Sequence, residues 1–289
     1  MTILVTGATG TIGRRVVDQL ARRGAALRVL VRDPAKARFP AGVAVAQGEM
    51  LDIAAMRAAL SGVSTLFLLN AVAPDEVTQA LVALNLAREA GITRIVYLSV
   101  IDGERFPDVP HFAGKLAVER MIEATGLNAT ILRPAYFMNN DAGIKDVVAG
   151  HGVYPMPIGA RGLAMVEAGD IAEVAALELL RREQAPGPLP STRINLVGPE
   201  TLTGADVAAI WSAVLGHPVA YPGEDLAGFE QTLRQAMPGW MAFDMRLMAA
   251  RFASEGMLPQ PGDRERLTTL LGRPLRSYRD FAAGLVAAA

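Results

Sequence analysis

Apolar and polar residues follow two alternating patterns along the first two thirds of this chain. Short apolar runs predict buried strands, and the segments between them carry apolar residues three and four positions apart, which predicts helices. The runs show no clean alternation of apolar and polar residues, so we expect strands covered on both faces, as in a parallel sheet with helices on each side. The pattern predicts an α/β fold with strands at 3–6, 26–31, 43–46, 65–69, 95–100, 129–133 and 193–197.

The last third of the chain is mostly helical in pattern. Before it, helices are expected at 141–149 and from Asp170, where Asp170 and Glu173 resemble a capping box. Methionine and aromatic residues are dense between Phe229 and Met257, which is typical of core packing and also compatible with an apolar substrate wall or a partner groove. The pattern predicts a smaller, mainly helical C-terminal domain with helices at 203–215, 225–236, 239–253, 264–271 and 278–286.

Three evenly spaced glycines (Gly7, Gly10 and Gly13) link the first strand to the first helix. A helix N-terminus presents unpaired N–H groups and the positive end of the helix dipole to a phosphate. The spacing differs from G-x-G-x-x-G, and no Gly-Lys-Ser/Thr follows to make a P-loop. A plain strand-to-helix turn is the alternative to a dinucleotide site. The predicted dinucleotide site comprises Gly7, Thr9, Gly10, Thr11, Ile12 and Gly13.

Arg32 follows the second predicted strand directly, where a dinucleotide fold meets the adenosine ribose. An acidic residue at this place binds a free 2′-hydroxyl, whereas an arginine accommodates a 2′-phosphate. Lys36 lies close behind. The two basic residues predict NADP(H) rather than NAD(H) as the cofactor; a solvated surface charge is the alternative for Arg32.

Other candidate cofactor residues follow the later strands, because ligands bind beyond the carboxyl ends of strands in such sheets. Glu49 or Asp52 is expected at the adenine edge, although Asp52 is equally suited to cap the next helix. Tyr136 is expected on the nicotinamide side. The full set is Glu49, Asn70, Ala71, Ser99, Pro134 and Tyr136.

Composition excludes several classes of function. The chain has 289 residues, a net charge of −1 and a pI near 6.3, which gives no electrostatic reason to bind nucleic acid or an anionic membrane. It has no cysteine, and its three histidines lack zinc-binding spacing, so no disulfide, thiolate or metal site is expected. No signal peptide or membrane-length apolar run is evident, which predicts a cytoplasmic location.

Five segments and a few residues near them carry a family resemblance. The segments are GATGTIG at 7–13, VRDP at 31–34, VYLS at 96–99, HFAGK at 111–115 with Glu119, and ILRP at 131–134 with Phe137, Met138 and Asn140. Together they resemble the NmrA-like atypical short-chain dehydrogenase/reductases over essentially the whole chain. The resemblance implies a Rossmann-type parallel sheet with helices on both faces, a smaller C-terminal domain and NADP(H) in the cleft between them. The expected domains are an NADP-binding Rossmann domain at 1–150, a segment at 168–198 that returns to its sheet, a cleft loop at 151–167 and a substrate domain at 199–289.

The chain departs from the usual catalytic motif of short-chain dehydrogenases. The resemblance implies a Tyr-x-x-x-Lys pair, in which the tyrosine exchanges a proton with the substrate and the lysine binds the nicotinamide ribose. Here His111 occupies the tyrosine position and Lys115 keeps the lysine position. The family's serine falls on either Ser99 or Val100. Lys115 and His111 are the candidate catalytic residues, with His111 either a proton donor or only a residue at a helix start.

The resemblance extends to NAD(P)H:quinone and triphenylmethane reductases, and also to proteins that sense NADP(H) or regulate a transcription factor without turnover. A conjugated acceptor becomes a stabilised anion after it takes a hydride, so a strong tyrosine acid is dispensable. We therefore predict an oxidoreductase that transfers hydride to an apolar, conjugated small molecule such as a quinone. A non-catalytic NADP(H) sensor that binds a protein partner is the alternative, and a monomer and a homodimer fit equally well.

Overall fold

Seven strands form one sheet within residues 1–287, the part of the chain that this computed structural model describes. The strand order is β3-β2-β1-β4-β5-β6-β7, and every pair from β3 to β6 is parallel. The predicted Rossmann-type α/β sheet is therefore confirmed. The strands are β1 (Ile3–Val5), β2 (Leu27–Val31), β3 (Ala44–Gln47), β4 (Thr65–Leu68), β5 (Arg94–Leu98), β6 (Ala129–Pro134) and β7 (Thr192–Leu196).

Eleven α-helices lie within the same described residues, and none of them is long and apolar enough to cross a membrane. Short 3-10 helices span Pro34–Lys36 and Met138–Ile144. The α-helices are α1 (Thr11–Arg22), α2 (Ile53–Leu60), α3 (Glu76–Glu89), α4 (Pro110–Ala124), α5 (Lys145–His151), α6 (Ala168–Gln184), α7 (Gly204–Leu215), α8 (Leu226–Leu233), α9 (Gly239–Glu255), α10 (Asp263–Leu271) and α11 (Tyr278–Ala287).

Two helix predictions are wrong. The single helix expected at 141–149 is a 3-10 helix followed by α5. The helix expected to start at Asp170 begins earlier, at Ala168, so Asp170 lies within its first turn and is not its N-cap. The Asp170 carboxylate pairs instead with Arg273 and Arg276. Two guanidinium partners give a buried carboxylate stronger, charge-assisted hydrogen bonds than one backbone N–H does.

Packing divides the chain into two units. The first contains 1–100, 114–133 and 171–194, and therefore most of the sheet. The second contains 101–113, 134–170 and the described residues from 195 onward, and therefore most of the C-terminal helices. This division describes packing alone, so the assignment of a cofactor domain, a cleft loop and a substrate domain stays a prediction.

One face of the sheet in the first unit packs on α2, α3 and α4 through a continuous apolar core. Burial of apolar side chains from water is the main favourable term in such packing. The fully buried contacts include Leu4, Leu66 and Tyr97 from the strands and Met56, Leu84 and Ile122 from the helices.

The strand order reverses between β1 and β4, which is where open α/β sheets bind ligands. Thr6 joins the ends of these two strands. Its hydroxyl donates to the Leu69 carbonyl oxygen at 2.8 Å, and the Leu69 N–H donates back to the hydroxyl oxygen at 2.9 Å. The loops that follow β1 and β4 are therefore held side by side.

In the second unit, three tyrosines surround the buried carboxyl of Asp141. Tyr136 donates to Oδ1 at 2.9 Å, and Tyr154 and Tyr278 donate to Oδ2 at 2.9 and 2.6 Å. The Trp211 indole N–H donates in turn to the Tyr278 hydroxyl at 3.0 Å. Burial raises the pKa of Asp141 to about 6, although the tyrosine hydrogen bonds oppose the rise. This carboxyl therefore joins segments that are far apart in the chain.

Replacement of Asp141 by Asn is expected to remove a pH-dependent loss of stability. The carboxyl pKa is about 3.9 in an unfolded chain and about 6 in the folded protein, so the folded state binds this proton more tightly. The stabilising contribution of the proton is fully present below about pH 4 and is lost as the pH rises through the folded pKa. Urea denaturation measures the free energy of unfolding at each pH. Between about pH 4 and 7, the value for the wild type should fall by on the order of 3 kcal/mol relative to the value for Asp141→Asn. A stability difference that does not vary with pH contradicts this prediction.

Candidate functional site

The glycine loop after β1 brings backbone unusually close to backbone. Gly7 has a left-handed φ of +62°, and a Cβ on it would lie 2.8 Å from the Leu69 carbonyl oxygen. A Cβ on Gly13 would lie 2.1 Å from the Gly7 carbonyl oxygen. Gly10 is exposed, and a Cβ on it would meet nothing closer than 3.4 Å. The first glycine therefore makes the turn, the third admits the helix, and the second leaves the backbone open to a ligand.

The start of α1 carries the features of an anion site. Its N-cap is Gly10, which supplies no side-chain cap, and its first turn contains no acidic residue. Uncapped N–H groups at this end carry a partial positive charge. Thr9, Gly10 and Thr11 are exposed, whereas Ile12 and Gly13 are buried. The open part of the loop therefore coincides with the uncapped end of the helix.

Basic and acidic residues lie beyond the adjacent strands β2 and β3. Arg32 is exposed, and its guanidinium makes no hydrogen bond or ion pair with any other residue of 1–287. Lys36 lies 3.3 Å from the Asp33 carboxylate in an exposed ion pair. Glu49 is also exposed. Asp52 accepts a backbone N–H at 3.0 Å as the N-cap of α2, which confirms its capping interpretation.

Beyond β4, Lys115 of α4 forms a buried ion pair with Glu76 of α3. The Lys115 Nζ lies 2.5 Å from Glu76 Oε1, and the two side chains are 11% and 5% exposed. Asn70 donates from Nδ2 to the Glu76 backbone carbonyl at 2.8 Å. Its Oδ1 is buried and has no hydrogen-bond partner within residues 1–287, which is costly unless a ligand or water donates to it. Ala71, beside it, is exposed.

Ser99, at the end of β5, is bound to a buried carboxylate. Its hydroxyl donates to Glu119 Oε1 at 2.5 Å, and Glu119 also pairs with Arg133. Ser99 is almost fully buried, whereas Val100 is half-buried. The hydroxyl therefore joins β5 to α4, and contact between Ser99 and a cofactor stays a prediction.

Sequence reasoning missed Glu76 and Tyr97. The Tyr97 hydroxyl is buried and has no hydrogen-bond partner among the described residues. Burial, followed by the negative charges of Glu76 and Glu119, raises the pKa of Tyr97 well above its usual range, so the phenol stays neutral. A tyrosine in an apolar strand is typical of core packing, and a glutamate at a helix start is typical of surface capping. The sequence alone carried no signal that would have distinguished either residue.

In the second unit, His111 is paired with Asp244 of α9. The distance from Nδ1 to Asp244 Oδ1 is 2.8 Å, and the two side chains are 10% and 1% exposed. Sequence reasoning also missed Asp244, which lies in a segment rich in methionine and aromatic residues. His111 therefore has a buried carboxyl partner, which a residue at an ordinary helix start does not require.

Pro134 and Tyr136 also belong to the second unit. The Pro134 carbonyl oxygen accepts the Ile101 N–H at 3.1 Å. The Tyr136 hydroxyl is bound to Asp141, and burial raises its pKa well above the usual range. The nicotinamide-side role of Tyr136 stays a prediction. Because the hydroxyl is bound to Asp141, the predicted contact would be made by the ring or the backbone.

The groups of the first unit fit the chemistry of a phosphorylated dinucleotide. A Cβ would fill the narrow glycine turn, and the adjoining helix start has no side-chain cap. The neighbouring strand is followed by Arg32, whose guanidinium has no partner within residues 1–287. Because the carboxyl ends of parallel strands share one edge of the sheet, these groups lie along the same edge as Asn70.

Comparison with known proteins gives a consistent family and fold. A family model described as the NmrA-like family matches residues 1–260. An NAD(P)H azoreductase of Xenophilus azovorans is 32% identical over 99% of this chain and 98% of that protein. Quinone oxidoreductase 2 of Escherichia coli is 28% identical over 98% of each protein. The crystal structure of an NADPH-dependent quinone oxidoreductase of Escherichia coli complexed with NADPH has a TM-score of 0.86 at 27% identity, covering 98% of this chain and 99% of that one.

Replacement of Lys115 by Met is expected to lower the free energy of unfolding by about 3 kcal/mol, because Glu76 would be left as a buried, unpaired charge. The double variant Lys115→Met/Glu76→Gln should recover most of this loss, because no uncompensated charge remains. Urea denaturation of the wild type and of these two variants measures the free energies of unfolding. Lys36→Met removes an exposed ion pair and is the matched control, with an expected change below about 1 kcal/mol. Equal losses for Lys115→Met and Lys36→Met would show that the buried pair does not stabilise the fold.

Proposed function

We propose that this chain, which belongs to the NmrA-like family, is an NADP(H)-dependent reductase that delivers hydride to a conjugated, largely apolar small molecule such as a quinone. The observation that carries the proposal is the pairing of the glycine turn at an uncapped helix start with the exposed Arg32 on the neighbouring strand. Pyrophosphate and 2′-phosphate are the two anions of NADP(H), and each meets a suitable group at this edge. The names of the azoreductase and quinone oxidoreductase relatives support the same reaction class.

Each cofactor group has a proposed set of residues. The loop formed by Gly7, Thr9, Gly10, Thr11, Ile12 and Gly13 binds the pyrophosphate through backbone N–H groups. Arg32 binds the 2′-phosphate with help from Lys36, and Glu49 meets the adenine edge. Asn70 accepts a hydrogen bond through its unpaired Oδ1, next to Ala71. Lys115 orients the nicotinamide ribose, and Ser99, Pro134 and Tyr136 complete the predicted nicotinamide end.

The bound nicotinamide supplies the hydride, and the protein supplies position and a proton. The ion pair with Glu76 holds the Lys115 ammonium at one place, which favours a single orientation of a ribose bound to it. A quinone that has taken a hydride is a stabilised anion and needs only a modest acid, a role for which imidazole is suited. His111 is the proposed acid, and the substrate class explains why a tyrosine is not required at its position. A monomer and a homodimer both remain compatible with this function.

Arg32→Ala is expected to weaken NADPH binding about tenfold to a hundredfold while leaving NADH binding nearly unchanged, because only NADPH carries the 2′-phosphate. Titration of the purified protein with each nucleotide by calorimetry measures the difference. Arg57→Ala is the matched control, because Arg57 forms an exposed pair with Glu89 in the same unit and has no proposed role in binding. Equal weakening of NADPH and NADH by Arg32→Ala would remove the 2′-phosphate assignment.

The reductase assignment itself is expected to show as consumption of NADPH, followed by nicotinamide absorbance, in the presence of quinones and azo or triphenylmethane dyes. Turnover with at least one conjugated acceptor, and slower turnover with NADH at equal concentration, is the expected result. Similar affinities for NADP⁺ and NADPH without turnover across the panel would instead favour a protein that senses the redox state of the cofactor.

A further inference from the structure

We propose that Asp244 is a positioning residue that fixes the tautomer of His111, so that Nε2 is the nitrogen that delivers the proton to the reduced acceptor. This inference rests on the proposed reductase function for the proton transfer, but the tautomer can be tested without turnover. Asp244 lies 133 residues from His111 in the chain and is brought to it by α9.

The hydrogen-bond chemistry of the pair determines which nitrogen carries hydrogen. An ionised aspartate accepts hydrogen bonds and cannot donate them, so the 2.8 Å contact with Oδ1 places a hydrogen on Nδ1 of His111. The other ring nitrogen, Nε2, has no hydrogen-bond partner among residues 1–287. Nε2 is therefore bare in the neutral ring and carries the second hydrogen in the imidazolium.

The Asp244 carboxylate is dedicated to this contact. Its side chain is only 1% exposed, and Oδ2 is buried without a hydrogen-bond partner in the described chain. Within residues 1–287, His111 is therefore its single polar partner, and a buried carboxylate depends on such a partner. An aspartate kept only for solubility or helix capping would reach water or a backbone N–H.

The ring of His111 is also fixed in orientation. Phe112 packs edge-on against it, with ring centroids 4.7 Å apart and an interplanar angle of 88°. Phe112 is 1% exposed and stacks on Phe106, with ring centroids 5.8 Å apart. Asp244 on one side and this aromatic pair on another leave the imidazole little freedom to rotate, which is what a proton donor of fixed direction requires.

The proton step balances as follows. The acceptor takes two electrons and a hydrogen as hydride from the reduced nicotinamide dinucleotide and becomes an anion. The Nε2–H bond of the His111 imidazolium then breaks, and an O–H or N–H bond forms on the acceptor. The ring is left neutral with its hydrogen on Nδ1, the form that Asp244 binds, and solvent returns a proton to Nε2. An aspartate that orients and stabilises an imidazolium in this way does not itself become protonated.

Asp244→Asn is the most informative variant, because asparagine has the shape of aspartate and its NH₂ group can reverse the direction of the hydrogen bond to His111 Nδ1. With the amide oxygen toward Nδ1, both amide hydrogens would occupy the buried Oδ2 position, out of reach of solvent. With the NH₂ group toward the ring, one hydrogen binds Nδ1 and fewer donors stay unpaired. This second arrangement forces the hydrogen of the neutral ring onto Nε2, where it is held far too tightly to serve as an acid.

Nitrogen NMR of histidine-labelled protein tests the tautomer, and the chain has only three histidines to assign. His111→Gln identifies the His111 signals, and His151 and His217 serve as internal controls. We expect a hydrogen on Nδ1 of His111 in the wild type and the Nε2–H form in Asp244→Asn. A bare Nδ1 in the wild type, or an unchanged His111 spectrum in Asp244→Asn, overturns the proposal. If Asp244→Asn fails to fold, the wild-type spectrum alone shows whether Nδ1 of His111 carries the hydrogen.

Steady-state kinetics with an acceptor from the panel test the role of the pair. His111→Gln should lower kcat about a hundredfold, and Asp244→Asn about tenfold or more, with little change in KM for NADPH. The double variant should be no slower than His111→Gln, because Asp244 acts through the ring. His217→Gln, at an exposed position, should keep the wild-type rate.

A double variant whose loss in kcat equals the product of the two single losses would contradict a positioning role. An absence of wild-type turnover would overturn the reductase function, while the spectra would still decide the tautomer.

Discussion

The close approach of α1 to the end of β1 is the constraint on which the candidate site depends. A side chain at Gly13 would overlap the Gly7 carbonyl, so the helix meets the strand at this distance only because both positions lack a Cβ. This contact places the start of α1, which has no side-chain cap, beside the point where the strand order reverses between β1 and β4. The Thr6 hydroxyl joins the ends of these two strands at the same point. Arg32 and Asn70 then lie beyond the strands on either side. A phosphate site here follows from backbone geometry more than from any single side chain.

Helix α4 carries the two candidate catalytic residues, and each has a buried carboxylate partner from another helix. Glu76 of α3 pairs with Lys115, and Asp244 of α9 pairs with His111. A buried carboxylate is tolerated only when it is paired, so each carboxylate restricts its partner side chain to one geometry. In a conventional short-chain dehydrogenase motif the helix itself supplies tyrosine and lysine. In the proposed mechanism, a histidine with a distant aspartate replaces the tyrosine as the source of the proton, which suits an acceptor that needs only a modest acid.

Local sequence signals predicted much of the structure. The apolar runs identified all seven strands to within about two residues, and Asp52 was recognised as a possible cap because capping depends on neighbours in the chain. Predictions failed where a distant partner competed with a local one. Asp170 was predicted to cap a helix, yet Arg273 and Arg276 bind it from more than one hundred residues away. Burial of Asp141 among tyrosines had no local signal either.

By itself, the sequence determined the strand-turn-helix motif, the alternation of strands and helices that predicts a parallel sheet, and the basic residue directly after the second strand. Apolar periodicity and glycine spacing are local properties of the chain. It also showed that the usual tyrosine is replaced by His111. Only the tertiary structure decided that Lys115 is paired with Glu76, that Ser99 is bound to Glu119, and that Asp244 meets His111. Such pairings depend on which helices pack together, and packing joins residues whose separation in the chain carries no information about their distance in space.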